Sequence, residues 1–222
     1  MKISFVQKTI FIFLLFSTFA CEPLVYTFDS VEDAEYYQAN SVVSSPVQDS
    51  IKVVTWNIRF GAGRLSWFGD ACGERVILNA KEVKNNLQKI ADKLNAIRAD
   101  IVLLQEVDIE SKRSAYIDQV KWLLNNTDLN YGVYASAWRA QYIPSDGLGR
   151  MNMGTAILSR WPLKEAKRIA LPLRSDQDDL TQYFFLRRNI LRAKLDVLNR
   201  DDIYVVNVHT AAFSVDDTKL KH

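Results

Sequence analysis

Between Ala80 and Arg98 the apolar positions Val83, Leu87, Ile90, Leu94 and Ile97 recur at spacings of four, three, four and three. That is one stripe of an amphipathic helix, with Lys and Asn on the opposite side. The helix is bracketed by two apolar runs, Ile51 to Ile58 before it and "IVLL" just after Asp100, each reading as a buried strand. A second, shorter helix is marked by Ile117, Val120 and Leu124. Thereafter "YGVYASAW", "GTAILSRW", "ILRAKLDV" and "IYVVNVHT" have strand composition, separated by Gly, Pro, Asn or Asp signals. The polar, glycine-containing "RAQYIPSDGLGRMNM" reads as a surface loop. Strands alternating with helices early and strands following strands later predict an α/β domain, with sheets packed face to face and helices outside.

The 222 residues suffice for one sizeable domain. Lys2 and Lys8 precede "IFIFLLF", and small or polar residues follow in "STFAC", the order of a secretory signal over residues 1–20. That apolar run is shorter than the roughly 20 residues of a spanning helix. Cys21 directly after Ala20 resembles a bacterial lipoprotein signal, which implies lipidation of Cys21 and anchoring to a bacterial membrane, facing periplasm or exterior. Plain secretion is the alternative. Residues 21–50 read as a tether and 51–222 as the domain. The formal net charge is +2, and without the signal it falls near zero, which does not favour a protein that coats DNA. Cys21 and Cys72 are the two cysteines. Cys72 takes a structural or loop role, or bridges Cys21 if that residue is left free.

Three of the apolar runs stop on polar residues: the first on Asn57, the second on Gln105 and Glu106, the last around Asn207 and His209. A strand end is where functional groups meet a ligand on rigid support. A glutamate is a hard oxygen ligand for Mg²⁺, which takes one or two carboxylates and completes its shell with water and substrate phosphate. An amide holds a phosphoryl oxygen or orients a water, and a histidine holds phosphate or donates a proton to a departing oxygen. Each has a plainer reading: Asn57 as a turn cap, Glu106 as a solvated acid, His209 as a satisfied half-buried imidazole.

"VVTWNIRFG", "ADIVLLQEVD", "GTAILSRWP" and "VVNVHTAAFSVDDTKLKH" occur in this order. They resemble the successive motifs of the endonuclease/exonuclease/phosphatase superfamily, the DNase-I-like fold. The resemblance implies a four-layer α/β sandwich of two central mixed sheets with outer helices. It implies a metal-dependent phosphodiesterase or phosphomonoesterase using Mg²⁺ or Mn²⁺, with Glu106 as metal ligand and Asn57 and His209 as catalytic groups. The substrate is then a phosphate ester: nucleic acid, a phospholipid headgroup or a small metabolite. Asn207 reads equally as a side chain bonding neighbouring backbone, and Thr155 stands where many members have asparagine.

Two further motifs of the superfamily, G-D-x-N and S-D-H, are not found in this sequence. The pattern therefore reads as a carboxy-terminally incomplete copy, expected to be inactive by itself. A surface-anchored binding module that keeps the fold without the chemistry is the rival reading. "YFFLRRN" mixes aromatics with Arg187 and Arg188 as a nucleic-acid surface would, but reads more simply as a strand preceded by solvated arginines.

Overall fold

A computed structural model describes residues 24–46, 49–69, 73–197 and 203–211. Cys21 and Cys72 lie outside the described residues. Among the described residues no helix is long and apolar enough to cross a membrane.

Among the described residues nine strands form two sheets. The five-stranded sheet has the order β2 (Glu35–Gln38), β5 (Tyr131–Ile143), β6 (Gly149–Ser159), β4 (Ile101–Asp108), β3 (Val53–Asn57). It is mixed, because β3 and β4 run parallel while its other pairs are antiparallel. The four-stranded sheet, β1 (Val31–Asp33), β7 (Leu163–Ala170), β8 (Asn189–Leu195), β9 (Tyr204–Val208), is antiparallel throughout rather than mixed.

Alternation along β4 and β6 builds the layers. Ile101, Leu103 and Ile157 point to one side and meet Ala166, Leu191, Ala193 and Leu195 of the four-stranded sheet. Val102, Leu104, Ala156 and Leu158 point to the other and meet the helices α1 (Ala80–Ile97) and α2 (Gln119–Leu124). The periodic stripe of α1 is buried as its spacing predicts: Val83, Leu87, Ile90 and Leu94 all lie in that core, at roughly 1.5–3 kcal/mol for each large aliphatic side chain. Asn79 and Glu82 close a reciprocal capping box at its start. At its end Arg98 takes the left-handed conformation (φ 56°) and turns the chain into β4.

Three expectations are corrected. Residues 24–46 are not simply a tether, since β1 and β2 add one strand to each sheet; three- and four-residue strands are too short to leave a readable alternation. The segment "RAQYI…GRMNM" is not a surface loop. It extends β5 and β6 into a long hairpin closed at Ser145–Gly147, with Ala140, Ile143, Leu148, Met151 and Met153 packed in a third apolar cluster. Finally β3 is an edge strand and not a buried one, with Val53 54% exposed.

Candidate functional site

The site forms where β3, β4 and β9 end on the same side of the two sheets. Parallel pairing sets Asn57 opposite Gln105, one residue from Glu106. By strand parity Glu106 belongs with Val102 and Leu104, whose side chains lie under the helices. It does not go there. The register with β6 shifts between Leu104 and Val107, and Glu106 has φ 53°. A bulge with a left-handed residue swings the carboxylate out to the rim and returns Val107 to the core. A glutamate at positive φ is uncommon, and such strain persists only where the surroundings impose it.

The three residues singled out in the sequence come together. Asn57 Nδ2 donates to Glu106 Oε1 at 2.9 Å, and His209 Nε2 lies 3.9 Å from the same oxygen. Asn57 also caps a turn, because its Oδ1 accepts the Arg59 backbone N–H at 2.9 Å. The plain and the functional readings of this residue thus both describe it: the turn fixes the amide, and the fixed amide aims the carboxylate. Glu106 Oε2 accepts no hydrogen bond among the described residues.

The loop after Asn57 is held from beneath. Arg59 and Phe60 have positive φ, as does Gly61, where an added Cβ would stand 3.0 Å from Val83 Cγ1. Gln119 Nε2 donates to Phe60 O at 2.7 Å, and the Arg113 guanidinium stacks 3.8 Å from the Phe60 ring centroid. Arg113 is itself paired with Asp108, Nε and Nη2 each at 2.9 Å from a carboxylate oxygen, and Ser114 Oγ donates to the same carboxylate.

Asn207 and Gln105 join the sheets just behind the site. Gln105 Nε2 donates to Asn207 Oδ1 at 2.7 Å, and Asn207 Nδ2 donates to Leu104 O and Ala156 O at 2.8 and 2.9 Å. Asn207 is therefore a buried strut, not a rim residue.

Arg188, expected from the sequence to be a solvated arginine before a strand, is a further functional candidate. It is half-buried rather than solvated, and its Nη1 donates to His209 O at 2.6 Å. Burial draws the His209 imidazole below its ordinary pKa and Arg188 adds to this, while Glu106 opposes it. The imidazole is accordingly neutral near neutral pH. Among the described residues Thr155 Oγ1 and Asn189 Oδ1 are buried without a hydrogen-bond partner, and both residues line a small cavity beside Arg188 and His209. Its volume, about 10 Å³, is on the scale of one water. The antiparallel pairing of β8 with β9 brings Arg188 here, and a single sequence carries no sign of that pairing.

Among the described residues no cluster of three or more His, Cys, Asp or Glu is placed to hold a metal. One outward carboxylate with a free oxygen nevertheless fits Mg²⁺ or Mn²⁺, hard ions that keep several waters and share substrate phosphate oxygens.

The Endonuclease/Exonuclease/phosphatase family matches residues 54–209, and the chain belongs to that family. Its architecture is the family's DNase-I-like α/β sandwich of two facing sheets with helices. No curated protein matches the chain. Among solved structures it is similar to an endonuclease/exonuclease/phosphatase from Beutenbergia cavernae DSM 12333, at 19% identity and a TM-score of 0.46 over 72% of this chain. It is also similar to an endonuclease/exonuclease/phosphatase family protein from Leptotrichia buccalis C-1013-b, at 17% identity and a TM-score of 0.45 over 72% of this chain. The chain spans 38% and 55% of the lengths of those two proteins.

Proposed function

We propose that this chain carries the site of a metal-dependent phosphoesterase, in which Glu106 holds one divalent cation, Mg²⁺ or Mn²⁺. The observation that carries the reading is the convergence of Asn57 Nδ2 and His209 Nε2 on Glu106 Oε1, from residues 49 and 103 positions apart along the chain. The bound ion supplies positive charge to a phosphoryl group. Asn57 orients the carboxylate. The neutral His209 presents a ring N–H to a phosphoryl oxygen as a hydrogen-bond donor, without giving the proton up. Arg188, tied to the His209 carbonyl, adds fixed positive charge beside the imidazole.

The substrate is a phosphate ester of nucleic acid, of a phospholipid headgroup or of a small metabolite, attacked in line by water. The export signal and Cys21 support a protein lipid-anchored to a bacterial membrane, or secreted, acting outside the cytoplasm.

A panel of chromogenic phosphodiesters and phosphomonoesters, with and without chelator, tests the activity in a version that also carries the family's two remaining acid motifs, G-D-x-N and S-D-H. Turnover should need the divalent ion, collapse in Glu106→Gln, and fall about 10²-fold or more in His209→Ala. Chelator-insensitive hydrolysis, or a Glu106→Gln variant as active as the parent, contradicts the proposal. A folded chain that binds phosphate esters without hydrolysing them is the result expected of the non-catalytic binding module.

A further inference from the structure

Residues 24–26 are stitched to the β5–β6 hairpin. Val25 pairs antiparallel with Ala140, Tyr26 N donates to Arg139 O at 2.9 Å, and Gln141 N donates to Leu24 O at 2.9 Å. Val25 is buried with Ala140, Ile143 and Leu148, so this segment belongs to the fold and is not slack. Because the pairing is antiparallel, each step back from Tyr26 to Leu24 moves toward the hairpin tip at Ser145–Gly147. The hairpin leaves the pole that carries the site. Asp108 pairs with Met153 and Met153 with Trp138, and residues 139–150 continue beyond the end of β4. Near the tip the large apolar residues Leu24 and Tyr142 are 50% and 54% exposed. On the same segment the Arg139 guanidinium stacks 4.2 Å from the Tyr26 ring centroid.

We infer that the hairpin tip, with Leu24 and Tyr142, is a membrane-docking face, seated in the headgroup layer of the bilayer that holds the Cys21 lipid. The inference rests on the lipid-anchor reading of Cys21 and is independent of the phosphoesterase reading. It goes beyond the anchor by fixing which side of the domain meets the membrane. Two exposed apolar residues alone are ordinary on a protein surface. The short link is what gives them a partner. Cys21 precedes Leu24 by three residues, and three residues reach no more than about 11 Å when fully extended. An acylated Cys21 therefore keeps the hairpin tip against the bilayer, since Leu24 leaves the hairpin only if Val25 leaves the core. A single acyl chain holds a protein to a membrane only marginally, so a second contact beside it adds to the hold. Tyr and Arg side chains suit that depth, because each places an apolar body in the headgroup layer and keeps a polar end in water. The pole that carries Glu106 and His209 is then the one turned toward the membrane.

The test uses the full chain, produced with its signal in a bacterial host and reconstituted with vesicles of phosphatidylethanolamine and phosphatidylglycerol. In a Cys72→Ser background, Ser145→Cys and, as control, Lys93→Cys each carry an environment-sensitive fluorophore. Both positions are exposed, and Lys93 stands near the end of α1, at the pole where β4 begins. The label at position 145 should shift to the blue on the vesicles and be quenched by headgroup-labelled lipid, while the label at position 93 does neither. Adding Leu24→Asp/Tyr142→Asp, with the fold checked by circular dichroism, should shrink the shift at position 145. Equal responses at the two positions, or no response at position 145 in an acylated chain, overturn the docking face. So does a full shift in the folded Leu24→Asp/Tyr142→Asp variant. A response that vanishes when the protein is diluted among excess vesicles assigns the tip to a second copy of the chain and overturns the membrane as its occupant. Mass spectrometry of the purified chain keeps the two readings apart. An unacylated Cys21 sinks the anchor reading and the inference with it, whereas an acylated Cys21 with a silent label sinks the docking face alone.

Discussion

The side-chain amide of Asn207, on the four-stranded sheet, donates to the carbonyl of Leu104 on the five-stranded sheet at 2.8 Å. It donates again to Ala156 O at 2.9 Å and accepts from Gln105. Leu104 is the last regular residue before the bulge that turns Glu106 outward, and His209 follows Asn207 by two. One buried amide therefore locks the strand bearing the histidine to the strand bearing the carboxylate. The separation of His209 from Glu106 depends on it.

Asn207→Ala should consequently leave two buried carbonyls without their donor, at a cost of about 1–3 kcal/mol. Urea unfolding is the measurement. An unchanged midpoint would show that the strut contributes nothing.

A second prediction concerns the support under the Asn57 loop. Asp108 and Arg113 are both almost wholly buried and doubly hydrogen-bonded. Asp108→Asn removes one charge and leaves Arg113 buried without its counter-ion, which should cost about 3–5 kcal/mol. The exposed pair Arg150–Glu110 gives the contrast: Arg150→Ala should change stability by no more than about 1 kcal/mol. Both follow from thermal or urea unfolding, and similar losses in the two variants would contradict this ranking.

The start of α1 should titrate. Hydrogen bonds from Arg75 and from the Asn79 backbone hold the Glu82 carboxyl down to about 2. A group depressed in the folded state stabilises fully above its unfolded pKa, about 4.5, and loses that contribution as pH falls through about 2. Glu82→Gln should therefore melt below the parent at pH 7, and the two curves should converge towards pH 2. A constant gap at all pH values would mean that the charge has no part in it.

The sequence made α1 legible because five apolar residues at helical spacing leave no other periodicity, and Ile97 is the last residue of both the pattern and the helix. It made the three rim residues legible because each breaks an apolar run with a functional group. The bulge was not legible: hydrophobic alternation identifies a strand but carries no sign of one extra residue, and only the register with β6 reveals why Glu106 leaves the core. The long hairpin was obscured because Arg139, Gln141 and Tyr142 are polar or exposed along one edge of β5, while the apolar partners that bury Ala140 and Ile143 come from distant residues. The burial of Arg188 is not legible either, because it is decided by the pairing of β8 with β9, which the aromatic and arginine composition of its own segment does not announce.

Binding of Mn²⁺, followed by loss of the free-ion signal in electron paramagnetic resonance, tests the shared pocket of Asn57, Glu106 and His209 most directly. It reads the carboxylate without requiring turnover. The parent chain should capture the ion, and Glu106→Gln should weaken capture by at least about tenfold with an unchanged unfolding midpoint. Equal capture by both proteins, or none by the parent, would contradict the assignment of Glu106 as the metal ligand.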